Sequence, residues 1–334
     1  MTVSSPPSKP PLVVDRRERT LMLSLRGADR VRFLNGQTTN DIEALAAGEA
    51  SPGFFVSIKG RVEAEVVVLA EEDALRLVLP AAVAASIGER LARYVLAERV
   101  EIVANDVGGG PIELIGRSAD AFLSRLVGAD RPEGPAEAST LETRPDGAPW
   151  RHWHTTVADR PVQVLRRPDR GGPSLTLWGE KVDQLLAALE AAGARRGDEE
   201  DLDRLRVERG AALWGRDFGP EHFPQETGRD DAVSYTKGCY LGQEVVARIH
   251  YRGGVRRRLR GLQLEGQAAE GRSVLDPTGK EVGRLGTVVR SADHGWIALA
   301  VLHDRVGPDD SVSVAMDADE VTARVVELPF VAPD

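Results

Sequence analysis

From Thr20 to Leu25 apolar and polar positions alternate imperfectly, with the period of a half-buried strand, and Gly27 separates this run from a helix predicted from Ala28. Phe33 and Leu34 are expected to face the core, and Gly36 weakens the helix before a Thr38-Thr39-Asn40-Asp41 loop. Three strands follow, Phe54 to Ile58, Val62 to Ala70 and Ala74 to Leu79, separated by turns at Lys59-Gly60 and Glu71 to Asp73. Val83, Ile87, Leu91 and Val95 recur at four-residue spacing, which predicts a helix over 81–96 with these side chains on one face. Strands over 100–105 and 112–115 and a helix over 119–127 complete an α+β pattern, with helices on one face of an antiparallel sheet.

The pattern breaks between Gly128 and Pro149, where Pro, Gly and Glu dominate without periodicity, so a domain boundary is expected there. Strands over 152–157, 162–166 and 174–178 precede a helix over 182–192 that carries Leu185, Leu186 and Leu189 and stops at Gly193. A second helix over 198–209 starts at Asp198, with Glu199 to Asp201 at its positive end. Beyond Gly254 short apolar runs recur every eight to twelve residues between Gly and Asp turns, which predicts a small all-β barrel or sandwich over 255–334.

A length of 334 residues exceeds one ordinary core and suggests two domains or three small ones. The net charge of -9 gives no long-range attraction for nucleic acid, so any polyanion site must be local. A single cysteine excludes an internal disulfide, a zinc knuckle and a self-contained cysteine-ligated cluster, and no stably bound metal is expected. The Pro- and Ser-rich start has no signal-peptide core and no segment reaches membrane-spanning length, so the expectation is a cytoplasmic protein with a flexible tail over 1–11 and no membrane partner.

The most unusual stretch is Ser234-Tyr-Thr-Lys-Gly-Cys-Tyr-Leu-Gly-Gln-Glu244, with the only thiol between two glycines and Lys237 two residues before it. A nearby ammonium favours the thiolate, whereas free cysteines are commonly buried small hydrophobes; both readings of Cys239 stand. Arg248, His250, Arg252, Arg256, Arg257, Arg258 and Arg260 form a cationic segment that suits phosphates or carboxylates, or else a solvated strand face paired with nearby acids. On the 198–209 helix Arg206 shares the face of Leu202, and Glu208 lies at its edge as a carboxylate able to take two parallel N–H donors from a flat heterocycle, or to pair with Arg on the surface. His152 and His154 share a strand face without Cys or carboxylate neighbours, Gly271 to Lys280 has the wrong spacing for a phosphate loop, and neither GxGxxG nor GxSxG occurs.

Lys237-Gly-Cys-Tyr-Leu-Gly-Gln-Glu244, with Ala247-Arg248 and Tyr251-Arg252-Gly253, resembles the signature of the YgfZ family, relatives of the aminomethyltransferase (T-protein) of glycine cleavage. Leu205 to Gly210, Gly215 to Phe218, Phe223 to Glu226, Thr38 to Asp41 and the ending Val325 to Phe330 are similar to other stretches of that family. The resemblance implies two interleaved α+β subdomains, a split one over 12–50 and 150–254 and a second over 51–135, a linker over 136–149, and a C-terminal antiparallel barrel, arranged around a central folate pocket. It further implies that Cys239 is the functional thiol, that Glu208 holds the pterin of tetrahydrofolate, and that Arg206, Glu65, Gln243, Arg248 and Arg252 border the cofactor. The implied role is support of iron–sulfur proteins, including tRNA-modifying enzymes, with RNA or the polyglutamate tail of folate at 248–260; a one-carbon transferase and an RNA-binding module are the alternatives. Glu65 stands where T-proteins carry an aspartate, and a carboxylate displaced by about one bond length costs on the order of a hundredfold in rate. Glu65 reads equally as an exposed strand residue.

Overall fold

The computed structural model describes residues 9–104, 109–127, 150–168, 173–317 and 319–331. Residues 1–8 of the expected tail and the whole expected linker 136–149 lie outside them. The tail expectation is corrected at its end, since the carbonyl of Lys9 accepts from Ser118 Oγ and that of Pro11 from the Arg195 amide.

Strands β1 (Leu12–Asp15) and β2 (Thr20–Arg26) lead into the short helix α1 (Arg30–Asn35), and β3 (Ala50–Val56), β4 (Val62–Ala70) and β5 (Ala74–Pro80) into α2 (Ala81–Tyr94). Next come β6 (Glu101–Ala104), β7 (Gly110–Ile115), α3 (Ala119–Leu126), β8 (Arg151–Val157), β9 (Arg160–Arg167), β10 (Ser174–Gly179) and α4 (Val182–Ala191). The chain continues through β11 (Arg195–Arg196), α5 (Glu199–Glu208) and α6 (Gln243–Arg252). It ends in β12 (Arg257–Leu264), β13 (Ser273–Leu275), β14 (Glu281–Ser291), β15 (Gly295–His303), β16 (Ser311–Ala315) and β17 (Glu320–Val326).

The chain divides into two units, Met1–Val31 with Ala44–Ser51 and Val67–Glu199, and Arg32–Glu43 with Pro52–Val66 and Glu200–Asp334. This replaces the expected grouping of 12–50 with 150–254 apart from 51–135. In unit 1 the cause is β7, which pairs antiparallel with both β1 and β10 and so ties chain from both sides of the expected linker into one sheet. That sheet has the order β11-β1-β7-β10-β9-β8. Val13, Ile112, Leu114, Leu175 and Leu177 from its strands pack with Phe122 of α3 and with Leu185, Leu186 and Leu189 of α4, as the leucine spacing predicts. The other sheet runs β3-β4-β5-β2-β6.

In unit 2, β12-β15-β14-β13-β16-β17 form a closed antiparallel barrel, in which pairing of β17 with β12 removes the free edge. Leu262, Val274, Ala298, Ala300, Val314 and Val325 fill it. The β14–β15 register shifts between Leu285 and Val288, a bulge that bends the strand beside Asp217. A Cβ on Gly286 would stand 2.6 Å from Asp217 Oδ1, so only glycine lets that carboxylate reach the Thr287 amide, at 2.7 Å. Among the described residues no helix is long and apolar enough to cross a membrane.

Candidate functional site

The thiol-bearing loop and the Thr38-Thr39-Asn40 loop, distant in sequence, are stitched together within unit 2. The Leu241 amide donates to Gly36 O at 3.1 Å and the Ser234 amide to Thr39 O at 2.9 Å. Thr39 Oγ1 donates to Ala232 O at 2.6 Å and accepts from the Phe54 amide at 2.8 Å. Asn40 Nδ2 bridges the carbonyls of Pro52, at 2.8 Å, and Asp231, at 3.0 Å.

Lys237 closes this arrangement. Its Nζ donates to the carbonyls of Asn35 at 2.5 Å, Thr38 at 3.0 Å and Asn40 at 2.8 Å, and lies 5.2 Å from the centroid of the Tyr240 ring. A six-residue helix such as α1 leaves its last carbonyls without intrahelical partners, and an ammonium suits that negative end. Burial pushes the lysine down to about 8, against the opposing pull of Asp41 and Glu43, so it is charged at neutral pH with three N–H donors for three carbonyls. The three N–H donors of Lys237 are taken by backbone carbonyls, so none is left to hydrogen-bond the thiol that it was expected to activate. Cys239 itself is exposed, not the buried hydrophobe of the alternative reading. Beyond it Gly242 has φ 82°, and a Cβ there would come within 2.3 Å of Ser57 O, which makes the glycine obligatory.

Glu208 ends α5, where Ser291 Oγ donates to its Oε1 at 2.7 Å; no protein donor meets Oε2 among the described residues. The carboxylate is thus oriented by one oxygen and open at the other. Arg206 is different. Its side chain is 1 % exposed, with Nε to Asp203 Oδ1 at 2.7 Å, NH1 to Asp217 Oδ2 at 2.5 Å and to Ala211 O at 3.2 Å, and NH2 to Thr287 Oγ1. The expectation that Arg206 borders the cofactor is corrected, because the α5 face shared with Leu202 is internal.

Glu65 is buried in β4 and pairs through Oε1 with Arg229 NH1 at 2.6 Å, while Arg229 Nε holds Asp231 Oδ1 at 2.9 Å. The exposed-strand reading is therefore corrected.

The cationic segment is a helix followed by a strand, not a single strand face. Gln243 begins α6 and reaches back to Gly238 O at 3.4 Å, and Arg248 pairs with Glu244 at 2.6 Å on an exposed i,i+4 turn. Arg252 is exposed at the end of α6. Arg257 forks onto both oxygens of Glu226, each at 3.0 Å, and Arg260 onto Glu327 at 3.2 and 3.0 Å. Sequence reading missed the rings beside them: Tyr235 stacks on His250 at 3.6 Å and 15°, and Tyr251 meets His250 edge-on at 4.8 Å and 82°. The adjacency of His250 and Tyr251 was visible in sequence; the fold that brings Tyr235 to them was not.

In unit 1, a cavity of about 350 Å³ is lined by Thr20, Met22, Pro111, Trp178, Lys181 and Val182, with none of the expected site residues among its walls. His152 Nε2 lies 2.8 Å from Ala70 O, and among the described residues no group of three His, Cys, Asp or Glu could hold a metal ion.

Residues 256–330 match the family model of the CAF17 C-terminal β-barrel domain. A tRNA-modifying protein YgfZ of Edwardsiella ictaluri is 28 % identical over 348 residues, covering 99 % of this chain and 98 % of the relative. A chloroplastic protein of Arabidopsis thaliana with a provisional transferase name is 27 % identical, covering 93 % of this chain and 69 % of its own length. The crystal structure of glycine cleavage system aminomethyltransferase T from Bartonella henselae superposes with a TM-score of 0.79 at 17 % identity, over 97 % of this chain and 87 % of that one. The fold is thus that of the T-protein, α+β with a C-terminal antiparallel barrel. Over nearly its whole length the chain is similar to YgfZ proteins, and its barrel to the CAF17 C-terminal domain.

Proposed function

We propose that this protein is a folate-binding factor acting in tRNA modification, by helping to assemble or repair iron–sulfur clusters in the modifying enzymes. The observation that carries this reading is the presentation of the only thiol, Cys239, exposed on a loop that Lys237 fixes from beneath. An exposed thiol on a fixed backbone can contact a cluster in transit, whose other ligands come from outside the chain. Tetrahydrofolate, when bound, supplies a pterin edge with parallel N–H donors, and the open oxygen of Glu208 fits that edge. Gln243, Arg248 and Arg252 remain in this proposal as residues near the ligand or its anionic tail. Aminomethyl transfer is the second reading, favoured by the transferase name of the plant relative. Against it stands Glu65, at the expected aspartate position with its carboxylate held by Arg229.

The test is the activity of an iron–sulfur tRNA-modifying enzyme in cells lacking this gene. Wild-type protein restores it and Cys239→Ala does not; equal rescue by both sinks the thiol role. In calorimetry Glu208→Gln weakens tetrahydrofolate binding about 10–100-fold, the value of one charge-assisted contact. Unchanged affinity would remove Glu208 from the site, and one-carbon transfer by the purified protein, lost in Glu65→Gln, would favour the transferase.

A further inference from the structure

Within the cationic segment the arginines separate into two sets. Arg257 and Arg260 are bound to Glu226 and Glu327. Arg252, Arg256 and Arg258 are exposed and meet no carboxylate among the described residues. Arg248 has only the exposed Glu244, a solvent-screened pair that a phosphate readily replaces. On α6, Tyr251 and Arg252 lie three and four residues after Arg248 and share its face. Arg256 immediately precedes β12 and Arg258 is its second residue, and the Arg258 guanidinium comes within 4.0 Å of a Cβ built on Gly254.

The rings occupy the same stretch. Tyr235 supports His250 from below, His250 meets Tyr251, and Tyr251 is left 68 % exposed. An exposed tyrosine braced by an aromatic stack and bordered by unpaired arginines, on a chain of net charge -9, combines a stacking face with local positive charge. An acidic peptide would use the arginines without the ring, and a duplex would engage phosphates without exposing a base to stack.

We infer that α6 and the start of β12 form a binding surface for single-stranded RNA, with phosphates on Arg248, Arg252, Arg256 and Arg258 and a base stacked on Tyr251. The choice of RNA rests on the proposed role in tRNA modification; the surface chemistry specifies an unpaired strand. Four phosphate contacts give a log–log salt slope of about -3, so raising salt from 50 to 200 mM weakens binding about 50-fold.

Fluorescence anisotropy of a labelled twelve-nucleotide single-stranded RNA with the full chain tests this. Wild-type protein is expected to bind the single strand in preference to the matching duplex, with that salt slope. Tyr251→Ala weakens binding by about tenfold or more with the slope unchanged, and Tyr251→Phe retains it. Arg252→Ala and Arg256→Ala each flatten the slope by about 0.7. All four replacements are at exposed positions, and unchanged thermal unfolding confirms their fold. Absence of binding at 50 mM salt, equal duplex binding with Tyr251→Ala neutral, or displacement of the RNA by stoichiometric pentaglutamate peptide would each overturn the inference. The assay involves neither folate nor Cys239, so its failure leaves the thiol reading standing, and equal rescue by Cys239→Ala leaves this surface standing.

Discussion

Arg206→Met lowers the stability of the protein by about 3–5 kcal/mol, the cost of removing one partner from a buried ionic network. Arg206 is the largest fully buried side chain, and the Asp217 side chain it holds is 0 % exposed. Methionine fills similar volume but leaves Asp217 with only the Leu213 and Thr287 amides, at 2.8 and 2.7 Å, to hold a buried negative charge. Asp203 is less affected, because Arg216 also reaches it. The loss is read as a lower urea midpoint with an unchanged slope. Arg206→Met/Asp217→Asn recovers part of it, since the double variant no longer buries an unpaired charge. A destabilisation below about 1 kcal/mol would mean that the network is solvated and the burial argument wrong. Arg206→Lys retains charge but not the planar fork, so it falls between wild type and methionine.

The contrast between Arg206 and Glu208, two residues apart on α5, defines what sequence could convey. Periodicity identified α5 and its apolar face, but the burial of a guanidinium depends on Asp217 and Thr287, which belong to a loop and a bulged barrel strand. Val62–Ala70 and Ala74–Pro80 were legible because apolar runs there are bounded by turn residues. Helix α6 was not: it begins after a left-handed Gly242 and buries only Val246, so it has no apolar stripe to reveal a helical period. Strands β11 and β13, of two and three residues, are too short to establish any period and owe their form to partners on β1, β14 and β16. Glu65 is similar at the level of the site, because its partner Arg229 is 164 positions away. Glu208 and Cys239 stood out through local sequence motifs, whereas the contacts of Lys237 depend on three distant carbonyls.

Lys237→Met separates the clamp from the activator. Removing the ammonium leaves the carbonyls of Asn35, Thr38 and Asn40 without their shared donor. The expected cost is about 2–4 kcal/mol, somewhat less than three full desolvation penalties because the adjoining Thr39 and Asn40 bonds survive. Urea unfolding measures that loss, and amide exchange in 35–41 and 234–242 is expected to accelerate as the two loops separate. Alkylation of Cys239 distinguishes the roles. An activating lysine would make the thiol less reactive at neutral pH when replaced and would move the pH profile of its alkylation upward. A clamp predicts an unmoved profile, because none of the three N–H donors is directed at sulfur. A profile displaced to higher pH with stability intact would restore Lys237 as the activator. A fixed backbone thus presents sulfur outward, while the charge beneath it holds the two loops together.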